Sequence, residues 1–387
     1  MPALSAGDLV EARIEKLVYG GLGLAHVAGQ VLLVPYAAPG DRLAVRITEV
    51  GRRVLRGSIE AIVERSTARV EPDCAHFGAC GGCQLQHVDR STELAAKAEF
   101  VRDCLRRIGG VHWGAPIEVV AGEPYGWRSR AELHVFRTKA GERRAGYFRA
   151  ASRDLVAIDD CPVLEPALRE ELRGLAKDPA RIPRDAEHLD LAAGDDGAVA
   201  RAPGARVHRS IGGFAFVFEA GSFAQGNVAI AEELVRRAIG TAHGDVAFDL
   251  YAGPGLFTLP LARRFSVVHA VEAEPRSVSL GTGNALANGI DNVRWSEERV
   301  EDWLDARAGE LHPEFVLLDP PRAGAGKRVV DAVAACAPRE IAYVSCDPAT
   351  LARDVRHFLD RGRAIRAITA LDMFPRSYHV ETLVHFT

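Results

Sequence analysis

Residues 247–257 read AFDLYAGPGLF: an apolar strand that ends in an acid, then a Gly-x-Gly turn that opens an apolar helix. Glycines at such a turn let the backbone come close to a ligand. About twenty residues further on, the apolar run VVHAVEAE reaches Glu272, where an acidic side chain can accept both hydroxyls of a ribose. A dinucleotide site, or a plain strand-turn-helix, reads similarly. The turn lacks a third glycine and a phosphate-gripping lysine, which suits a nucleoside cofactor with an uncharged tail, such as S-adenosylmethionine, better than a pyrophosphate. Asp249, Tyr251, Gly253, Gly255 and Glu272 are therefore the candidate cofactor residues.

Outward from this stretch the same pattern continues. A helix over 227–239, the strand VAFDLYA, the helix FTLPLARR, the strand VVHAVEAE, a helix near 276–288, the strand FVLLDPP, the helix RVVDAVAAC and the strand EIAYVSCD alternate along the chain. That alternation predicts an α/β fold with a Rossmann-like, mostly parallel, doubly wound sheet. Upstream, residues 8–64 read as five short alternating strands separated by glycine turns, the pattern of a small OB-like β-barrel. Residues 91–109 put Leu94, Ala98, Val101, Leu105 and Ile108 on one face at helical spacing, with Cys104 in the helix interior as a core residue. Residues 118–220 predict a second, β-rich domain carrying a polar insert around 177–206.

At 387 residues the chain exceeds the usual size of one core, so two or three domains are expected. The net charge of -4 does not advertise a polyanionic partner, and nucleic-acid binding would rest on local clusters. Those are Arg52, Arg53 and Arg56, then Arg128 and Arg130 beside Trp127, then Arg143, Arg144 and Arg149 beside Tyr147 and Phe148. No apolar run approaches a membrane span and no signal-peptide pattern opens the sequence, which predicts a cytoplasmic protein without a membrane partner. Seven cysteines without a secretion signal argue against a disulfide framework. Cys74, Cys80 and Cys83, with Cys161 as a distant fourth, offer four thiolates to zinc or to an iron-sulphur cluster, and the spacing favours neither. Cys336 reads as core.

Three further motifs follow the glycine turn in order. LLDPPRAG puts Asp319 and Arg322 at the carboxyl end of a buried strand, YVSCDPATLARD puts Cys346 at the end of the next, and HVETLVHF puts Glu381 in or beside a closing strand. Each alone could be structural. Together, and with Phe223, Gln225 and Asn227 in a Phe-x-Gln-x-Asn pattern, they resemble the RNA 5-methyluridine (uracil-5-) methyltransferases, in the iron-sulphur branch that modifies bacterial 23S ribosomal RNA. The resemblance covers nearly the whole chain. It implies a TRAM RNA-binding barrel at 1–64, a central iron-sulphur domain from 65–90 and 118–220, and a discontinuous catalytic domain from 91–117 and 221–387. Cys346 would be the nucleophile and Glu381 the base. Gln225 and Asp319 would meet cofactor or uracil, while Phe223, Gln225, Asn227 and Arg322 would meet substrate. Cys74, Cys80, Cys83 and Cys161 would hold a [4Fe-4S] cluster, S-adenosylmethionine would be the cofactor, and a monomer would act on RNA, ribosomal ahead of transfer RNA. Two positions depart from the family pattern: Asp347 stands for the usual Asn after the nucleophile, and Leu256 for a polar Asn in the glycine loop. The rivals are a radical S-adenosylmethionine methylthiotransferase, which needs Cys-x3-Cys-x2-Cys, and a non-catalytic RNA-binding iron-sulphur protein, against which Cys346 and Glu381 speak.

Overall fold

The N-terminal strands β1 (Leu9–Arg13), β2 (Lys16–Val18), β3 (Leu22–Val27), β4 (Gln30–Pro35), β5 (Arg42–Val50) and β6 (Val54–Glu64) form one sheet in the order β1-β5-β6-β4-β3-β2. The computed structural model describes residues 4–222, 224–307 and 309–387, so Phe223 lies outside the described residues. Six strands replace the five read from sequence because the first run changes partner midway. Ile14 donates its N–H to the Asp41 carbonyl beside β5, and Glu15 donates to Leu24 on β3. The two edge strands are therefore consecutive in the chain, and the sheet rolls into a partly open barrel around Leu32, Val34, Leu43, Val45 and Leu55.

Helix α1 (Arg90–Arg107) and the short strand β7 (Glu118–Val120) follow. The central domain has β8 (Arg130–Arg137), β9 (Arg143–Phe148), β10 (Leu155–Ala157), α2 (Pro166–Lys177), β11 (His188–Ala193) and β12 (Val199–Ala200). Its antiparallel sheet, ordered β10-β9-β8-β11-β12, packs Leu133, Leu189 and Leu191 against Leu168, Leu172 and Leu175 of α2. A hairpin of β13 (Arg206–Ile211) and β14 (Phe214–Glu219) leaves that domain and buries Phe216 and Phe218 in the catalytic core.

The catalytic half runs α3 (Val228–Ile239), β15 (Gly244–Leu250), α4 (Thr258–Ala262), β16 (Phe265–Glu272), α5 (Pro275–Ala287), β17 (Val293–Glu297), α6 (Val300–Arg307), β18 (Phe315–Leu318), α7 (Gly326–Ala335), β19 (Glu340–Ser345), α8 (Pro348–Asp360), β20 (Ile365–Leu371) and β21 (Glu381–Phe386). The sheet order is β17-β16-β15-β18-β19-β21-β20-β7, parallel from β17 to β19, with β21 antiparallel to both neighbours. β18 is buried on both faces: Phe315 and Leu317 face one core, Val316 and Leu318 the other. Strand order reverses at β15, which opens a crevice at the carboxyl ends of β15 and β18. β7 closes the far edge by pairing with β20, so the catalytic sheet takes a strand from three residues past the boundary at 117.

The buried face of α1 differs from the sequence reading. It carries Glu93, Ala96, Lys97, Phe100, Val101, Cys104 and Leu105, while Ile108 is 48% exposed. Two of those residues are charged because they meet charges from the β20–β21 connection. Lys97 pairs with Asp372 and lies 3.5 Å from Glu93, and Arg90 pairs with Glu93 at 2.9 Å and also with Asp372. Arg376 donates its backbone N–H to Glu93 at 2.6 Å.

Candidate active site

The glycine loop begins where β15 ends. Tyr251 and Ala252 both donate N–H groups to the Val271 carbonyl on β16, which bends the chain so that Tyr251 takes φ 67° and Gly253 φ 54°. A Cβ on Gly253 would meet nothing within 4 Å, so the loop presents open space there. At Gly255 it would lie 2.8 Å from Leu259, and packing as well as φ demands glycine. Leu256 points into the core, which accounts for an apolar residue at that loop position. Glu272 accepts from Gly253 N–H at 3.0 Å and from Glu274 N–H at 2.8 Å, and it sits half-buried at the rim of the loop.

Beneath the loop, Asp249 is fully buried. One of its oxygens accepts from Thr258 at 2.5 Å, and the other has no partner among the described residues. Burial, with Asp319 and Glu272 nearby, pushes its carboxyl up to about 7. An orphaned buried acceptor under a loop of accessible backbone, with an acid at the next strand end, fits a nucleoside cofactor whose tail carries a cation such as a sulfonium, rather than the uncharged tail expected from the sequence.

Cys346 and Glu381 meet through the sheet register. The β19–β21 pairing ends at Ser345 opposite Thr382, and Cys346 and Glu381 are the residues next beyond that last pair, close enough for the Glu381 charge to act on the thiol. Asp319 follows Leu318, which pairs with Tyr343 on β19, and its N–H donates to the Leu250 carbonyl on β15 at 3.2 Å. Burial pushes Cys346 up to about 12, and the charges of Glu381, Asp319 and Asp347 push the same way, while Arg322 opposes them. Burial raises Asp319 to about 7, and burial with the Asp319 charge holds Glu381 well above the carboxylate range. Glu381 Oε1 has no partner among the described residues. A thiol and two carboxyls of raised proton affinity thus lie together, with the exposed Arg322 as the cation that opposes them.

The segment between β20 and β21 aims Glu381, and the ionic face of α1 anchors it. Lys97 also donates to the Phe374 carbonyl at 3.0 Å. His379 stacks on Tyr378 with ring centroids 4.2 Å apart, and burial with the Arg322 and Lys97 charges lowers it to about 4, so it is neutral at pH 7. Asn227 caps α3 through its side-chain oxygen (3.3 Å to Ile230 N) and donates to the Met373 carbonyl at 3.4 Å. Both ends of its amide are occupied. Gln225 is half-buried and lines a cavity bounded by β8, β11 and the β13–β14 hairpin. The sequence reading missed Tyr19 and Lys97. Tyr19, on the β2–β3 turn, donates to Asp347 Oδ2 at 3.1 Å, and no local pattern links two residues so far apart in sequence.

Cys74, Cys80, Cys83 and Cys161 line one cavity with Arg128, Tyr147 and Pro162. Burial pushes Cys83 up to about 12 and Cys161 to about 11, and raises Cys74 and Cys80. Four half-buried thiols gathered around one cavity, with Arg128 and Arg169 near them, form a donor set whose chemistry fits a tetrathiolate-bound metal group. Cys104 and Cys336 are core residues. The arginine clusters are less free than their spacing suggests. Arg128 donates to the Arg130 carbonyl, Arg130 to Ser222 and Ala224, Arg143 to Ile182 and Ala186, and Arg144 to Ala176. Arg52 and Arg53 are exposed on the barrel.

Comparison with known proteins agrees with this geometry. Residues 209–387 match the family model for tRNA (uracil-5-)-methyltransferase, and residues 5–59 match the TRAM domain. The 23S rRNA (uracil(1939)-C(5))-methyltransferase RlmD of Edwardsiella ictaluri is 34% identical over 95% of this chain and 93% of its own length. An uncharacterised RNA methyltransferase of Thermosynechococcus vestitus is 32% identical over the full length of both. The crystal structure of Pyrococcus abyssi tRNA (uracil-54, C5)-methyltransferase with S-adenosyl-L-homocysteine superposes with a TM-score of 0.74 at 25% identity, covering 98% of this chain and all of that one. Among the described residues, no helix is long and apolar enough to cross a membrane. A methyltransferase sheet with acid, thiol and glycine loop at one edge, and relatives of this identity along its whole length, make this chain a member of the RNA (uracil-5-)-methyltransferase family with an N-terminal TRAM domain.

Proposed function

We propose that the chain methylates carbon 5 of a uridine in 23S ribosomal RNA through a covalent link between Cys346 and the base. The observation that carries this reading is the placement of Cys346 and Glu381 together just past the end of the β19–β21 ladder, beside Asp319. When bound, S-adenosylmethionine supplies the methyl group. Uracil carbon 5 is a poor nucleophile. Addition of the Cys346 sulfur to carbon 6 pushes an electron pair toward oxygen 4 and makes carbon 5 nucleophilic. Burial favours the Cys346 thiol in the free enzyme, so its proton passes to solvent before the thiolate attacks, and the sulfur leaves as thiolate when the adduct breaks down. After methyl transfer, Glu381 takes the carbon 5 proton, the sulfur–carbon 6 bond breaks and the ring double bond returns. Its unpartnered oxygen and raised proton affinity suit that step.

Asp319 is assigned to the uracil N3–H or the cofactor, and Gln225, whose amide both donates and accepts, to the uracil edge as charge develops. Asn227 acts through the Met373 carbonyl on the segment that aims Glu381. Arg322, exposed at the rim, suits the flanking phosphate. The target base must be splayed from its stack to reach this edge. The four half-buried cysteines are assigned to a [4Fe-4S] cluster, which would tie the 74–83 loop to Cys161. The ribosomal substrate is supported by the full-length relatives whose names carry that activity; the Pyrococcus likeness favours transfer RNA as the second reading. Assay of both RNAs separates them.

Changing Cys346 to Ala should lower turnover by on the order of 10³-fold or more and abolish any covalent RNA adduct. Glu381→Gln should let attack and methyl transfer proceed but slow proton removal, so that an adduct carrying the labelled methyl group survives denaturing electrophoresis. Normal turnover by Cys346→Ala, or an adduct that maps to another cysteine, overturns this mechanism.

A further inference from the structure

We propose that Tyr19, on the β2–β3 turn of the barrel, is a positioning residue for the nucleophile loop, its hydroxyl holding the Asp347 carboxylate in place beside Cys346. This rests on the reading of Cys346 as nucleophile. The Asp347 carboxylate is divided between two tasks. Oδ1 accepts the N–H groups of Ala349 (2.8 Å) and Thr350 (3.0 Å) and so caps α8, while Oδ2 accepts from the Tyr19 hydroxyl at 3.1 Å. The backbone around it is pinned as well: Ser345 Oγ donates to the Asp347 carbonyl at 3.1 Å and accepts its N–H at 3.2 Å.

The turn that carries Tyr19 is wedged into the catalytic domain. Its ring packs edge-on against Phe100 of α1 (6.2 Å) and against Tyr378 (5.5 Å), the residue before His379. Lys16 pairs with Asp103 at 2.5 Å, and a Cβ on Gly21 would lie 2.9 Å from Gln84 and 3.4 Å from Tyr378. A barrel resting loosely on the catalytic domain would show none of this interlock.

The charge at residue 347 gives the contact an electrostatic sense. Asp347 places a negative charge next to the nucleophile. Cys346 already faces Glu381 and Asp319, with Arg322 as its opposing cation, and Asp347 itself faces Tyr19, Cys104, Cys346 and His379. A phenol donating to Oδ2 takes up part of the carboxylate charge on the side away from its helix cap. Without it, forming the Cys346 thiolate costs more.

The test uses the iron-loaded full chain and follows iodoacetamide alkylation of Cys346 by peptide mass spectrometry from pH 7 to 9, in wild type, Tyr19→Phe, Asp347→Asn and the double variant. Where thiolate is the minor species, alkylation rate tracks its fraction. Tyr19→Phe should displace the rate profile upward by about half a pH unit, roughly threefold slower at any one pH, and lower kcat with KM for S-adenosylmethionine unchanged. Asp347→Asn should displace the profile downward and, in the Tyr19→Phe background, restore the rate to wild type or above, because the amide still accepts the cap N–H and carries no charge. An unmoved profile in Tyr19→Phe, a double variant as slow as Tyr19→Phe, or a change confined to KM for RNA would overturn the proposal. If Tyr19→Phe does not fold, Tyr19→Met takes its place, with the same upward shift expected and an unmoved profile again overturning the proposal. Alkylation needs no turnover. Should Cys346 not be the nucleophile, Cys346→Ala retains methylation while the alkylation shifts still report on Tyr19.

Discussion

Asp249 keeps one carboxylate oxygen without a donor among the described residues, under the glycine loop, and burial raises its proton affinity. A group whose folded pKa is raised adds stability at pH below the ordinary carboxylate range and loses it as pH climbs through the folded value, here about 7. Asp249→Asn should therefore stabilise the cofactor-free protein at pH 8, on the order of a few kcal/mol, with a smaller gain at pH 5. It should also weaken S-adenosylmethionine binding, because the buried charge facing the cofactor is gone. Thermal melts at the two pH values, with and without cofactor, check both halves; equal gains at pH 5 and pH 8 would count against a buried charge. The same residue shows what sequence can convey. Strand, acid and Gly-x-Gly were legible because each needs only its neighbours, whereas the missing donor is a property of the packed site.

Helix α1 marks where legibility ends. Its position and length were readable from apolar spacing, and the structure adds the cap, Asp89, which accepts from Thr92 N–H at 2.8 Å. Its buried face was not. A hydrophobic period treats Glu93 and Lys97 as solvent-facing, and only Asp372 and Arg376, brought in from the β20–β21 connection, turn that face inward. The first barrel strand misleads for a related reason: its residues alternate evenly through Ile14 and Glu15, and the change of partner is a tertiary event. Removing one member of a buried ionic set strands the others. Lys97→Met should lower stability by about 3–5 kcal/mol in denaturant titration. Amide exchange should rise first in residues 372–379, ahead of the sheet. A loss under about 1 kcal/mol would show that Asp372 and Glu93 find other partners.

Across the whole molecule, the cysteine cavity joins two stretches that share little regular structure. Cys74, Cys80 and Cys83 lie on a loop held by isolated bridges such as Phe77↔Cys80 and Cys80↔Arg149, and Cys161 lies ahead of α2. Protein purified without oxygen should contain about four iron atoms per chain. Chelation should raise amide exchange at 74–86 and 158–164 while β15 to β21 keep their protection. One zinc with no iron would contradict the cluster assignment.

The order of elements along the chain has a consequence for biosynthesis. Glu118 of β7 pairs with Thr369 of β20, so α1 and β7 leave the ribosome long before the strands that receive them. At ordinary translation speeds that interval is on the order of ten seconds or more. A nascent helix with a wholly apolar face would spend it exposed to aggregation or chaperone capture. The inner face of α1 instead presents Glu93 and Lys97, which water can solvate until Asp372 and Arg376 are made. Its charges serve the unfinished polypeptide first and the finished enzyme afterwards.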